Sequence, residues 1–275
     1  MLLAELQVHA LTAGSADRSR AFEALVLAYI VAGDVANRIS GNVDLSVSAA
    51  RRGYDMACRH GDLALIGFAR WCWALQLIWL TARGRAARLL TAGIDELGQS
   101  VQLRNGDTLP AEMFGFLHLS AAQCAARDNR RDDARGHLDE AAAIAGRIGE
   151  HNGLRMHFGP TNVAVWRLGI GIELGEGGRA YHEVIRTPLD VAALNSKERS
   201  SALYFDLARA LVQDGARHDA EAIRHLDTAD RLAPTRIRND PIARDLVRIL
   251  NRRARRQVWE LDSLRNRFGM APARP

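Results

Sequence analysis

One pattern recurs five times along the 275 residues: a segment with helical apolar spacing, a short turn, and a second such segment carrying a packing residue near its start. The packing positions are Ser46, Leu89, Ala134, Ala180 and Ala222, separated by 43, 45, 46 and 42 residues. A helical pair of this kind cannot bury its apolar face alone. Stacking on the next pair is the available solution, so the pattern restricts the chain to a helical repeat.

The segments between these positions agree. Residues 19–39 place Phe22, Leu25, Val26, Tyr29 and Ile30 on one helical face, and residues 45–58 carry Ala49, Ala50 and Gly53, small enough for close helix approach. Residues 63–82, with Phe68, Trp71, Trp73, Leu77 and Trp79, are apolar over most of the circumference and therefore central to a core. Further helices are expected over residues 2–11, 86–97, 113–127, 132–148, 163–174, 179–185, 197–213, 219–233 and 240–267. Their breaks fall at Gly41-Asn42, Gly61-Asp62, Arg83-Gly84-Arg85, Asn105-Gly106-Asp107, Asp128-Asn129, residues 175–178, Thr187-Pro188 and Pro234. No stretch alternates as a strand does, so the reading is all-α.

The sharpest copy has Tyr204, Leu207, Ala208 and Leu211 on its first helix and Ala222, Leu226, Ala229 and Pro234 on its second. A second has His118, Ala121, Ala122 and Ala125, a turn at Asp128-Asn129, then Ala134, Leu138 and Ala141. These copies resemble the tetratricopeptide repeat (TPR). The resemblance implies one domain over residues 1–275, with repeats at about 18–60, 62–100, 110–148, 159–187 and 196–234 and a capping helix at about 240–267. It implies a right-handed superhelix whose concave wall is lined by the first helix of each pair. Transferred position by position, that wall includes Trp71 and Ile78; Phe116, Gln123 and Arg127; Asn162 and Glu173; Phe205, Arg209 and Gln213.

Near the middle lies His157-Phe158-Gly159-Pro160-Thr161-Asn162. Gly159 permits a tight turn and Pro160 fixes φ for a first helical turn, so a rigid loop launches the following helix. Thr161 and Asn162 either cap that helix or leave the Asn162 amide, with its donor and acceptor, to grip a ligand's backbone. With the Phe158 to Val163 box, the 201–234 repeat and the ending at 259–269, nearly the whole chain resembles the C-terminal sensor region of bacterial XRE-type transcriptional regulators. That resemblance implies a cytoplasmic protein taking a peptide or small-molecule effector in its groove. Asn162 is the first candidate for the effector's backbone, Gln123 and Gln213 come next, and the aromatics offer pockets. The first 60 residues contain no credible DNA-reading tri-helix, so DNA would be reached only through a missing N-terminal domain. The alternative is a scaffold that binds a partner protein, or forms a homodimer through the 71–79 tryptophan cluster.

Charge and composition narrow the classes further. From Arg236 onward there are 11 arginines against four acids, a balance of +7, which leaves −2 for the remainder of a chain whose net charge is +5. Arg252, Arg253, Arg255 and Arg256 either contact phosphates or form the solvated face of a capping helix, whose other face carries Leu246, Ile249, Leu250, Val258, Leu261 and Leu264. Cys58, Cys72 and Cys124 have no pairing or ligand spacing, so neither a disulfide framework nor a metal site is expected. No catalytic motif, cofactor motif or membrane span is present.

Overall fold

The computed structural model describes residues 2–38, 41–99, 108–187, 189–256 and 258–270. Its regular structure among them is helical throughout, with fourteen α-helices and no strand. The expected Asn105-Gly106-Asp107 and Pro188 breaks lie outside the described residues. The chain divides into two compact units, Met1–Leu154 and Arg155–Pro275.

In the first unit α1 (Leu2–Thr12) packs on α2 (Ser15–Arg38), and three hairpins follow. They pair α2 with α3 (Val43–His60), α4 (Leu63–Trp79) with α5 (Arg83–Gly98), and α6 (Leu109–Arg127) with α7 (Arg131–Ile148). Helix α3 also packs on α4 and α5 on α6, and first helices touch one another, α2 on α4 and α4 on α6. Local chemistry sets the turns. Gly61 ends α3 at φ 87° and Asp62 caps α4, its carboxylate accepting from the Leu65 amide at 2.7 Å. Two adjacent residues thus stop one helix and start another.

The second unit contains α8 (Pro160–Glu173) paired with α9 (Gly177–Arg186), and α10 (Lys197–Asp214) paired with α11 (Asp219–Leu232). Helix α10 packs on both α8 and α9, repeating the stacking mode of the first unit. The α8–α9 crossing is tight. A Cβ on Gly171 would lie 2.6 Å from the Ala180 Cβ, so hydrogen at one position and methyl at the other set the separation.

Three expectations need correction. Gly84 does not turn the chain: the reversal is made at Leu80 to Ala82, with Thr81 left-handed at φ 59°, and Gly84 sits inside α5. Leu89 is only half-buried, whereas Ala86 and Leu90 are fully buried, so the packing register of α5 is displaced by three residues. The long terminal helix is broken. After the short α12 (Pro234–Asn239), α13 (Pro241–Arg253) and α14 (Trp259–Arg267) are separate and pack against each other.

Burial explains that break. A continuous helix would carry Phe268 about 27 Å along its axis from Leu250. Folding back instead places Leu246, Val247 and Leu250 in one apolar cluster with Leu261, Leu264 and Phe268. Arg244 fastens the return, donating to the Phe268 carbonyl at 3.0 Å and to the Arg238 carbonyl at 3.0 Å.

Candidate functional site

Asn162 occupies the third position of α8, behind Pro160 and Thr161, and is fully buried. It does not cap the helix. The N-cap is Gly159, which has no side-chain cap, and the Asn162 Nδ2 reaches backwards to donate to the His157 carbonyl at 2.8 Å, with a longer contact of 3.5 Å to Met156 O. The loop it closes is strained: Leu154, Arg155 and His157 have φ of 50°, 60° and 54°, a region that costs a non-glycine residue about 1 kcal/mol or more. Its Oδ1 is buried without a hydrogen bond. Burial and the nearby Arg199 guanidinium hold the His157 imidazole below its ordinary pKa.

Farther along α8, Trp166, Gly169 and Glu173 share one face at i, i+3, i+7 spacing, and Asp206, Arg209 and Gln213 do the same on α10. The two sets are offset by 40 residues at every member. They also meet. Arg209 donates to Glu173 Oε1 at 3.0 Å and to Asp206 Oδ1 at 2.8 Å, while Asp206 Oδ2 lies 3.1 Å from where a Gly169 Cβ would be.

These charges are neither solvated nor in the core. The Arg209, Asp206 and Glu173 side chains retain 15%, 17% and 20% of their exposure. Burial pushes the Asp206 carboxyl above its ordinary pKa, although Arg209 pulls the other way. For Arg209, burial works against the charge, and the two carboxylates more than offset it. One turn before Gly169 on α8, the half-buried Trp166 keeps its indole Nε1–H buried without an acceptor.

The other candidates in this unit have structural duties. Gln213 accepts from the Gly177 amide at 2.7 Å and donates to the Ile172 carbonyl at 3.2 Å. It thereby satisfies an orphan amide at the start of α9 and ties it to the last turn of α8, where the Ile172 carbonyl also accepts from the Gly175 amide at 3.0 Å. Phe205 is buried, its ring 5.8 Å from the Arg209 guanidinium.

In the first unit Trp71 and Phe116 lie in the core between α4 and α6, their ring centroids 5.4 Å apart. The Trp71 indole donates to Ser120 Oγ at 2.7 Å, and Ile78 is buried as well. These rings already spend their surfaces on protein. Gln123 and Arg127, on the same helix as Phe116, are half-buried.

The terminal arginines are dispersed by the break between α13 and α14. Arg252 and Arg253 end α13 and Arg255 and Arg256 lie in the link beyond it, all exposed. Arg253 is tethered to the Val212 carbonyl at 3.1 Å and to Asp219 at 3.2 Å. Among the described residues no cluster of three or more His, Cys, Asp or Glu forms a metal site, and no helix is long and apolar enough to cross a membrane.

Sequence reasoning found Glu173, Arg209 and Gln213 but missed Trp166, Gly169 and Asp206. The 40-residue offset that superposes the two triplets would have found them. No protein-family model, curated protein or solved structure matches the chain.

Proposed function

We propose that this chain is the effector-binding helical-repeat region of a bacterial transcriptional regulator of the TPR type, and that an extended peptide or peptide-like small molecule seats on the α8–α10 face. The observation that carries the reading is that one face of α8 holds a buried indole N–H without an acceptor and, one turn on, the glycine against which the Asp206 carboxylate, bridged to Glu173 by Arg209, packs. A peptide backbone presents alternating carbonyl acceptors and amide donors. Trp166 supplies the donor and Asp206 and Glu173 the acceptors, so both kinds of backbone group find partners in a semi-dry site. The formal charge of the three ionised groups is −1, which favours an amine or amide-rich ligand over an anion.

A defined library of synthetic hexapeptides, screened by fluorescence polarisation against the full chain, tests this directly. A subset is expected to bind in the micromolar range and to lose tenfold or more with Trp166→Phe or Asp206→Asn. Binding that both substitutions leave unchanged, or no binding by any peptide, overturns the reading.

The scaffold alternative has its own support. Leu27, Val31 and Val35 are exposed at i, i+4, i+8 on α2, at 37%, 59% and 47%, an apolar stripe that no helix among the described residues of its own unit covers. The expected tryptophan surface is different, since Trp71 and Trp73 are buried and only Trp79 of that set is exposed. Light scattering of the wild type and of Val31→Glu separates the cases. A dimer that Val31→Glu dissociates supports self-association through α2, and a strict monomer at high concentration removes it.

A further inference from the structure

We propose that Arg70 and Trp73 of α4 form a binding site for a small oxyanion, phosphate or carboxylate, in the wedge between α3, α4 and α5. Both side chains are more than nine-tenths buried, at 3% and 8% exposure. Both also carry polar hydrogens with nowhere to go. Arg70 uses one nitrogen, Nη2, which donates to Tyr54 Oη at 2.8 Å and to Glu96 Oε2 at 2.6 Å, while its Nε and Nη1 are buried without an acceptor. The Trp73 Nε1–H is buried and unpaired in the same way.

The two side chains that carry the unpaired donors pack on the same residue. Positions 70 and 73 are one turn apart on α4, and both side chains lie against Tyr54 of α3, the guanidinium 5.2 Å and the indole 5.5 Å from its ring centroid. Helix α5 makes room on the other side. A Cβ on Gly93 would come 3.0 Å from the Arg70 Cδ, so the missing side chain lets the arginine stem lie flat. Arg85, also on α5, stands 5.6 Å from the Trp73 ring.

Charge and stoichiometry identify the missing partner. Arg70 and Arg85 carry +2 against −1 on Glu96, and every unpaired group in the cluster is a donor. Guanidinium and indole N–H groups have no acceptor capacity, so only an acceptor completes them, and an oxyanion supplies acceptors and the neutralising charge together. Glu96 is 53% exposed on its side chain and can swing outward to admit it. The cluster lies in the first unit and does not depend on the α8–α10 reading.

The test uses the full chain labelled with 15N at the tryptophan indoles, the Trp73 resonance being assigned by its loss in Trp73→Phe. Sodium phosphate and sodium acetate are titrated separately at constant ionic strength against chloride. The expected result is a saturable shift of the Trp73 indole with one of the two anions, which also decides between phosphate and carboxylate. Arg70→Gln should abolish the shift. Arg85→Gln, at an exposed position that leaves the packing intact, should weaken it several-fold and keeps the test decisive if Arg70→Gln does not fold. No saturable shift with either anion means that ordered water alone completes these donors and overturns the proposal. A shift undiminished in Arg85→Gln and Arg70→Gln overturns it equally.

Discussion

Asn162 holds the His157 carbonyl at 2.8 Å, so a side chain in the first turn of α8 fixes the conformation of the loop that precedes it. Replacing Asn162 with Ala leaves that carbonyl without its donor and releases residues held at positive φ. A loss of ~1–3 kcal/mol is expected in urea unfolding, with Asn162→Asp losing more because it also buries a charge. Unchanged stability in both variants would show that the loop holds itself.

Gly171 gives a prediction whose sign is informative. Gly to Ala at an open helical position gains up to about 1 kcal/mol from backbone entropy. Here the added methyl meets Ala180 at 2.6 Å, so Gly171→Ala is expected to destabilise by roughly 1–3 kcal/mol. The double variant Gly171→Ala/Ala180→Gly should recover part of it in a double-mutant cycle.

The final hairpin is tied to the terminal helices through one carboxylate. Asp230 is fully buried and accepts from Arg238 at 2.7 and 3.2 Å, and also from Arg267, which in turn pairs with Asp227. Asp230→Ala strands the Arg238 guanidinium and leaves Arg267 to Asp227 alone. A loss of about 1–3 kcal/mol is expected, detected by chemical denaturation, with the hydrogen-exchange protection of α14 falling first.

Stability should depend on pH through His118. Its Nδ1 lies 3.0 Å from the His137 Nδ1, and burial, with His137 adding to it, lowers its pKa from 6.5 to about 4. His137 is itself lowered by burial, with Arg130 acting in the same direction and Asp133 and Glu140 opposing. The folded state therefore binds fewer protons than the unfolded chain. Stability is full above about pH 6.5 and declines as pH falls toward 4, by up to about 3 kcal/mol for His118. His118→Leu should flatten the dependence in that window, measured as the denaturation midpoint against pH.

The hairpins were legible because helical spacing and small packing residues are local properties of the chain: Ala134, Ala180 and Ala222 are all buried where helices cross. The terminal break was not legible, since Leu250 and Val258 keep helical spacing across it, and only the burial of Phe268 against the last hairpin selects the turn. The repeat register puts Trp71, Phe116 and Phe205 on an open wall because first helices carry them, yet a first helix also packs on its neighbours, and those rings occupy the packed side. Arg209 and Glu173 were legible from the repeat register, which puts both on first helices. Asp206 was not, because it reads as an ordinary polar residue until Gly169 opposite is seen to make space for it.

Binding at the α8–α10 face is tested by the affinity of one library-selected hexapeptide for the wild type and for Asp206→Asn/Arg209→Leu. Arg217→Ala, on an exposed side chain beyond α10, serves as the control. Titration calorimetry should give at least a tenfold loss for the double variant, with near-wild-type circular dichroism and an unchanged control. Equal affinity for the wild type and a folded double variant would contradict the account.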